Sequence, residues 1–175
     1  MDRIQRDVRG GLRELQDSTP LSRRDYILAK YLAALASSLL PVFVWAMLIA
    51  IQMTVSGHAP AGFLYAVPVA FLAITVPAFA FVIAFSLACP LVMPLSVYQI
   101  LFTGYWFWAN FIPSALFPTL NGTLLTPSGN IALQGFFGGP VSEAIRGAHQ
   151  YTPLDAVLNL IVLALVAAVV LAHLL

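Results

Sequence analysis

Hydrophobic positions along the chain change their rhythm once, near residue 30. Before that point Ile4, Val8, Leu12 and Leu15 recur at helical spacing, with Arg3, Arg6, Arg13, Glu14 and Asp17 mostly elsewhere on the wheel. Residues 2–16 therefore read as an amphipathic helix. Gly10-Gly11 weakens it, at up to about 1 kcal/mol per glycine relative to alanine. Asp17-Ser18-Thr19-Pro20 then ends it. Two starts are available for the next helix. Thr19 can cap it with Pro20 at the first position, or Ser22 can cap it with Asp25 three residues on.

Beyond residue 30 the chain is apolar on every face of a helical wheel. The first span is expected over about 31–53, roughly 34 Å of helix, which crosses a hydrocarbon core with some tilt. Pro41 predicts a kink within it. Residues 54–60, with Gly57 and His58, form a turn. From Ala61 to about Pro113 the apolar run is too long for one span and about right for two. Ala88-Cys89-Pro90 is the expected break, giving spans near 62–87 and 91–112, with Pro94 as the alternative. Pro68 and Pro77 imply kinks in the second span that neighbouring helices must repair. Residues 114–152, richer in Gly, Pro and polar side chains, form an outer loop with short interfacial or re-entrant pieces such as 131–137. Thr152-Pro153-Leu154-Asp155 starts a last span over 154–174.

The expected fold is all-α and polytopic: about four transmembrane helices preceded by a cytoplasmic amphipathic helix. Residues 1–30 form the charged segment and 31–175 the transmembrane region.

Composition turns that pattern into a statement about solvent. The chain is 61% hydrophobic and 9% charged, against roughly 25% charged in an ordinary soluble domain. From Tyr31 to Ser142 there is no Asp, Glu, Lys or Arg, and 12 of the 15 charged residues precede Tyr31. Such a run cannot present a normal charged surface to water. Seven of the eight basic residues lie in the first 30 positions, which puts the N-terminus in the cytoplasm. An even span count returns the C-terminus there, in a cell inner membrane. The acids of the same segment nearly cancel its basic charge, so nucleic acid is not an expected partner.

Candidate chemistry is sparse. There is no HExxH, Gly-x-Ser-x-Gly or phosphate-loop motif, so no catalytic, cofactor or metal site is expected, and the chain is not expected to hydrolyse ATP unaided. Cys89 is the single cysteine, which excludes an intrachain disulfide. His58, His149 and His173 are far apart; His58 reads as a turn residue. Glu143 and Arg146, three apart, would pair on a helix near Asp155.

No span carries an ionisable group at its middle, where ion-coupled transporters usually place one. Ser37, Ser38, Gln52, Thr75, Gln99, Asn110 and Asn159 are expected to bond helix to helix. Ala164, Ala168 and Ala172 form a small-residue stripe that permits close packing. The rings from Tyr98 to Phe111 read as interfacial anchors, with a substrate cage as the lesser alternative. Asn121-Gly122-Thr123 is a glycosylation sequon, relevant only in a eukaryotic secretory route.

The most specific string runs from Arg9-Gly10-Gly11 through Leu12-Arg13-Glu14-Leu15 to Thr19-Pro20-Leu21-Ser22-Arg23-Arg24-Asp25-Tyr26 and Lys30. It resembles the cytoplasmic segment of ABC-2 type ABC transporter permeases, in which a charged helix leads through such an elbow directly into a span. The resemblance is close over Arg9–Ala33; beyond it only the hydropathy agrees. It implies a permease subunit of an exporter, and contact of Glu14, Pro20, Leu21, Arg23, Arg24, Tyr26 and Lys30 with a separate nucleotide-binding ATPase subunit. It also implies a second permease copy or a complementary permease subunit. Permeases of that family usually have six spans, so two earlier spans are expected and the chain reads as a truncated permease. The runner-up is a non-transporting membrane assembly or anchoring subunit that binds partners through the same charged segment.

Overall fold

Ser22 sets the start of the first helix. Its Oγ accepts the Asp25 N–H at 3.2 Å and donates to Asp25 Oδ2 at 2.6 Å, so one orphan donor is satisfied where the helix begins. Of the two predicted starts, the chain uses the second. The structure, a computed structural model, describes residues 22–112, 116–139 and 150–174. The amphipathic helix over 2–16, the Thr19-Pro20 elbow, Glu143, Arg146 and His149 lie outside the described residues.

Helix α1 (Arg23–Val55) has 33 residues and continues through Pro41. That is about 50 Å of helix against a hydrocarbon core of about 30 Å, so its charged first two turns can project beyond the apolar layer. Ser56 caps its end through Gln52 O, and Gly57 turns the chain at φ 75°. His58 Nδ1 lies 2.8 Å from Ser56 Oγ, a turn residue as expected.

The second apolar run is one rod made of three pieces: α2 (Phe63–Ala70), a π turn (Phe71–Thr75) and α3 (Val76–Val92). The prolines explain the middle piece. Pro77 has no N–H for Ala73 O and crowds that carbonyl. The helix responds by widening, and the Val76 N–H reaches back five residues to Phe71 O. Pro77, predicted to kink the rod, is thus accommodated by a π turn, whereas Pro68 lies within α2.

The rod does not break at Ala88-Cys89-Pro90. Met93 N–H bonds Cys89 O and carries the helix past Pro90 to Val92. It breaks at Met93, which is extended (φ −135°, ψ 157°), because Pro94 disfavours a helical residue before it. Helix α4 (Leu95–Asn110) follows. With 16 residues it is about 24 Å long, shorter than the hydrocarbon core.

Helix α5 (Asn130–Phe137) is the short piece expected in the outer loop, and α6 (Pro153–Ala172) ends the described fold. Thr152 and Asp155 cap α6 reciprocally. Thr152 Oγ1 accepts the Asp155 N–H at 3.3 Å, and Asp155 Oδ2 accepts the Thr152 N–H at 2.8 Å.

Three helices among the described residues are long and apolar enough to cross a membrane: Arg24–Val55, Phe63–Val92 and Pro153–Ala172. The described protein is all-helical and membrane-embedded. Its outward faces are apolar to match, with Trp45 at 66% and Leu40 at 64% exposure.

Packing centres on α3. It lies along α6, and α1 packs on it and on α2, whereas α4 touches it sparsely. Helix α5 lies against α6, and Gly135 permits the approach. A Cβ there would stand 2.6 Å from Thr152 O and 2.8 Å from Ala156 Cβ. The buried face of α6 is Ala156, Asn159, Leu163 and Ala167. Ala164, Ala168 and Ala172 are exposed, so the predicted small-residue stripe is not the packing face. The apolar surface of α6 is continuous around the helix, and only contact with α3 and α5 selects a side.

Residues of the loop between α4 and α5 fold back on α6. Asn159, 1% exposed, donates through Nδ2 to Leu124 O at 2.8 Å and Thr126 O at 3.1 Å. Tyr151 Oη donates to Gly122 O at 3.2 Å, and Gln134 Oε1 accepts the Tyr151 N–H at 3.1 Å. Burial, and then the Asp155 carboxylate, hold the Tyr151 phenol above its ordinary pKa.

Gly129 packs the loop onto the π turn. Its φ is 78°, and a Cβ there would overlap the Ile74 side chain. Gly138 also has positive φ, at 61°, but nothing lies within 4 Å of a Cβ there. Gly138→Ala should therefore cost only the backbone term, about 1–2 kcal/mol. Gly129→Ala adds a clash with a β-branched side chain and should cost clearly more, compared by unfolding in detergent.

Candidate functional site

The residues that carry the sequence resemblance fall partly within the described fold, at the charged end of α1. Helical spacing divides this end into two faces. Arg24, Asp25 and Leu28 are exposed, while Ile27 is buried and Tyr26, Lys30 and Tyr31 are half-buried. Ile27 packs in one cluster with Ile83 and Leu87 of α3 and Leu174 just beyond α6. Tyr26, Tyr31, Leu35, Phe79 and Leu171 pack around it. The start of α1, the end of α3 and the end of α6 therefore share one end of the bundle.

Two polar contacts fix this end. Tyr31 Oη donates to Ala80 O at 3.1 Å, tying α1 to α3. Lys30 Nζ donates to Tyr26 Oη at 3.0 Å and lies 5.3 Å from the centre of that ring, one turn apart on the same helix. Tyr26 and Lys30 are thus brought together, and Arg24 is presented outward. Arg23 is the first residue of the helix. Glu14, Pro20 and Leu21 lie outside the described residues. The sequence reading missed Ile27, Tyr31 and the far partners Ala80, Leu87 and Leu174. The spacing of Ile27, Tyr31 and Ala34 was the available signal for the near half; nothing local marked the far half.

The second feature is the cleft between α3 and α4. Ser86 and Tyr98 hydroxyls meet at 2.9 Å near the α3–α4 turn. From there the rings climb α4. Phe102 lies 5.3 Å from Tyr98, 6.0 Å from Tyr105, 6.3 Å from Trp106 and 6.4 Å from Phe85 across the cleft. At the top Trp108 Nε1 donates to Pro118 O at 3.1 Å. The aromatic group expected to anchor at an interface instead extends along α4, and part of it faces α3.

Two cavities flank Phe102. One of about 300 Å³ is lined by Phe81, Phe85, Cys89, Met93 and Tyr98, and one of about 400 Å³ by Ile74, Thr75, Ala78, Trp106 and Ser128.

The polar span residues follow a different plan from the one expected. Ser37 bonds Ala34 O and Asn110 bonds Trp106 O, both within their own helices. Asn159 bonds the loop. Among the described residues, helix-to-helix side-chain bonds are made instead by Tyr31, to Ala80 O, and by Ser86, with Tyr98. Among the described residues no three His, Cys, Asp or Glu side chains come together as a metal site would require. Asp155, expected near an outer charge cluster, serves as the α6 cap.

The fold and these two features define an all-helical, membrane-embedded protein with the charged end of α1 docked on the ends of two other helices and an aromatic cleft open along α3. In comparisons with known proteins, no family model, characterised protein or solved structure matched the chain.

The α1–α3 tie generates a direct expectation. Tyr31→Phe removes the bond to Ala80 O and should lower stability by about 1 kcal/mol. Tyr65→Phe, at an 81% exposed ring on α2, should leave it unchanged, both read from unfolding in mixed micelles.

Proposed function

We propose that the chain is a transmembrane permease subunit of an ABC-2 type exporter, coupling a separate ATPase to translocation across the cell inner membrane. One observation carries the reading beyond the sequence resemblance. The charged turns that would meet the ATPase are continuous with the first span and docked on the ends of two others, through Ile27, Ile83, Leu87 and Leu174. A push on Arg23–Lys30 cannot be absorbed by a loop. It tilts α1, and the Tyr31–Ala80 bond and the apolar cluster pass the load to α3 and α6. An ATPase that closes on nucleotide would thereby bias two packings of one bundle.

The bundle crosses the membrane four times in this reading, with α4 as the third crossing. Support comes from its two ends. Tyr98 in its first turn bonds Ser86 near the charged end, while Trp106 in its last turn lines a cavity with Pro127 and Ser128 of the outer loop. Residues 111 and 112, and any local thinning of the bilayer, make up for its short length. Both termini then face the cytoplasm, which the excess of Lys and Arg before the first span also favours. A second permease copy or a complementary subunit would complete the path, because α1 has no fully buried side chain between Ile27 and Ala50.

Co-purification with the ATPase tests the coupling. Arg23→Glu/Arg24→Glu should weaken association and abolish stimulation of ATP hydrolysis, while the unfolding midpoint of the permease stays the same. Association and stimulation at wild-type levels would exclude this segment as the coupling element.

A further inference from the structure

Helix α3 has one covered side and one open side. Contacts with α1 and α6 close the first, but α4 leaves two cavities on the second, of about 300 and 400 Å³. Phe102 lines both, so they are halves of one cleft running along α3. The chemistry of the walls narrows what can fill it. No ionised side chain lines either half. The Tyr98 hydroxyl is already paired with Ser86 at 2.9 Å. A charged ligand would lose its hydration and meet no counter-charge, only the scattered hydroxyls of Thr75, Tyr105 and Ser128. Ordered water needs two to four polar partners, and the half around Phe81, Phe85, Cys89 and Met93 offers hydroxyls only from Tyr105 and the already paired Tyr98.

An empty cleft is no better. Interiors are close-packed, and a void forfeits the dispersion contacts of its lining. The surrounding segment is charge-free and the protein is membrane-embedded, so hydrocarbon is the matching filler within reach.

We propose that the α3/α4 cleft is an acyl-chain site, in which one chain of a bilayer phospholipid lies along α3 and passes over Phe102 from the Trp106 half to the Cys89 half. The aromatic rings provide a flat, apolar wall for a flexible chain, and the sparse α3–α4 contact leaves a lateral entrance. The site rests on membrane embedding and is independent of the ATPase coupling proposed above.

Trp106 lines the cleft, whereas Trp45 on α1 is exposed on the outer surface, so each can report separately. The full chain carrying Trp45→Phe and Trp108→Phe is reconstituted into phosphatidylcholine vesicles with brominated acyl chains. A parallel protein carrying Trp106→Phe and Trp108→Phe retains Trp45. Both should be quenched by the brominated chains. Filling the cleft with Ala78→Phe, or separately Val82→Phe, should remove most of the Trp106 quenching and leave Trp45 quenching unchanged. The Trp45 protein carrying the same filling substitution also reports whether each variant still folds.

Three results would overturn the proposal. Trp106 could stay bright in brominated vesicles while Trp45 is quenched, meaning that protein, such as a second copy, closes the cleft. Quenching could persist in both filled variants, meaning that Trp106 meets only bulk lipid. Lastly, a brominated free fatty acid added to unbrominated vesicles could quench Trp106 more strongly than the brominated phospholipid does, which would reject a phospholipid chain as the occupant.

Discussion

Everything in this fold answers to one constraint: from Tyr31 to Ser142 no side chain carries a charge that water could solvate. Backbone N–H and C=O groups in such a stretch must find partners inside the protein. Helices supply most of them, and the exceptions show how strictly the rule is kept. Pro77 would orphan a carbonyl, and the chain widens into a π turn. Pro94 ends α3, and the preceding Met93 N–H still bonds Cys89 O. The loop carbonyls of Gly122, Leu124 and Thr126, which lack helical partners, are taken up by Tyr151 and Asn159.

The constraint also explains why α3 is both the best packed and the least finished helix. Helix association in lipid gains little from hydrophobicity and depends on packing and a few hydrogen bonds. On one side α3 receives these from Tyr31, Ile27 and the Ala156–Ala167 face of α6. On the other side α4 supplies the Ser86–Tyr98 contact and rings spaced too widely to close the gap. A bundle built this way has a stiff seam and a soft one. The stiff seam ends at the charged turns of α1, and the soft one lies along the aromatic cleft. The Tyr31–Ala80 bond and the Ile27 cluster therefore tie the charged end of α1 to the same helix that walls the cleft.

Much of this was legible in the residue order. Ser22 with Asp25 and Thr152 with Asp155 mark helix starts by local chemistry, and both act as caps. The apolar runs place three long helices, and the Asn130–Phe137 helix falls where a short interfacial piece was expected. What stayed hidden depends on contacts between distant segments. Pro90 looks like a helix breaker, yet only its own i−4 bond is lost, whereas Pro94 constrains its neighbour. Ala164, Ala168 and Ala172 look like a packing face because they are small, but α6 is apolar all round, and its orientation is set by Gly135 and by the loop bonds of Asn159. The Tyr31–Ala80 tie joins residues 49 apart, with no local signature. The sequence does not place the α4 rings against another helix, and in the fold part of them lies opposite Phe81 and Phe85.

The central claim is that the chain crosses the membrane an even number of times, with α4 as a crossing. Sidedness measures this most directly. In a Cys89→Ala background, single cysteines at Arg24, His58, Thr123 and His173, all exposed positions, are labelled with a membrane-impermeant maleimide in sealed vesicles of known orientation. The account predicts that positions 24 and 173 react from one face and positions 58 and 123 from the other. Labelling of 24 and 173 from opposite faces would contradict it, since an odd number of crossings cannot bring Ile27 and Leu174 into one cluster.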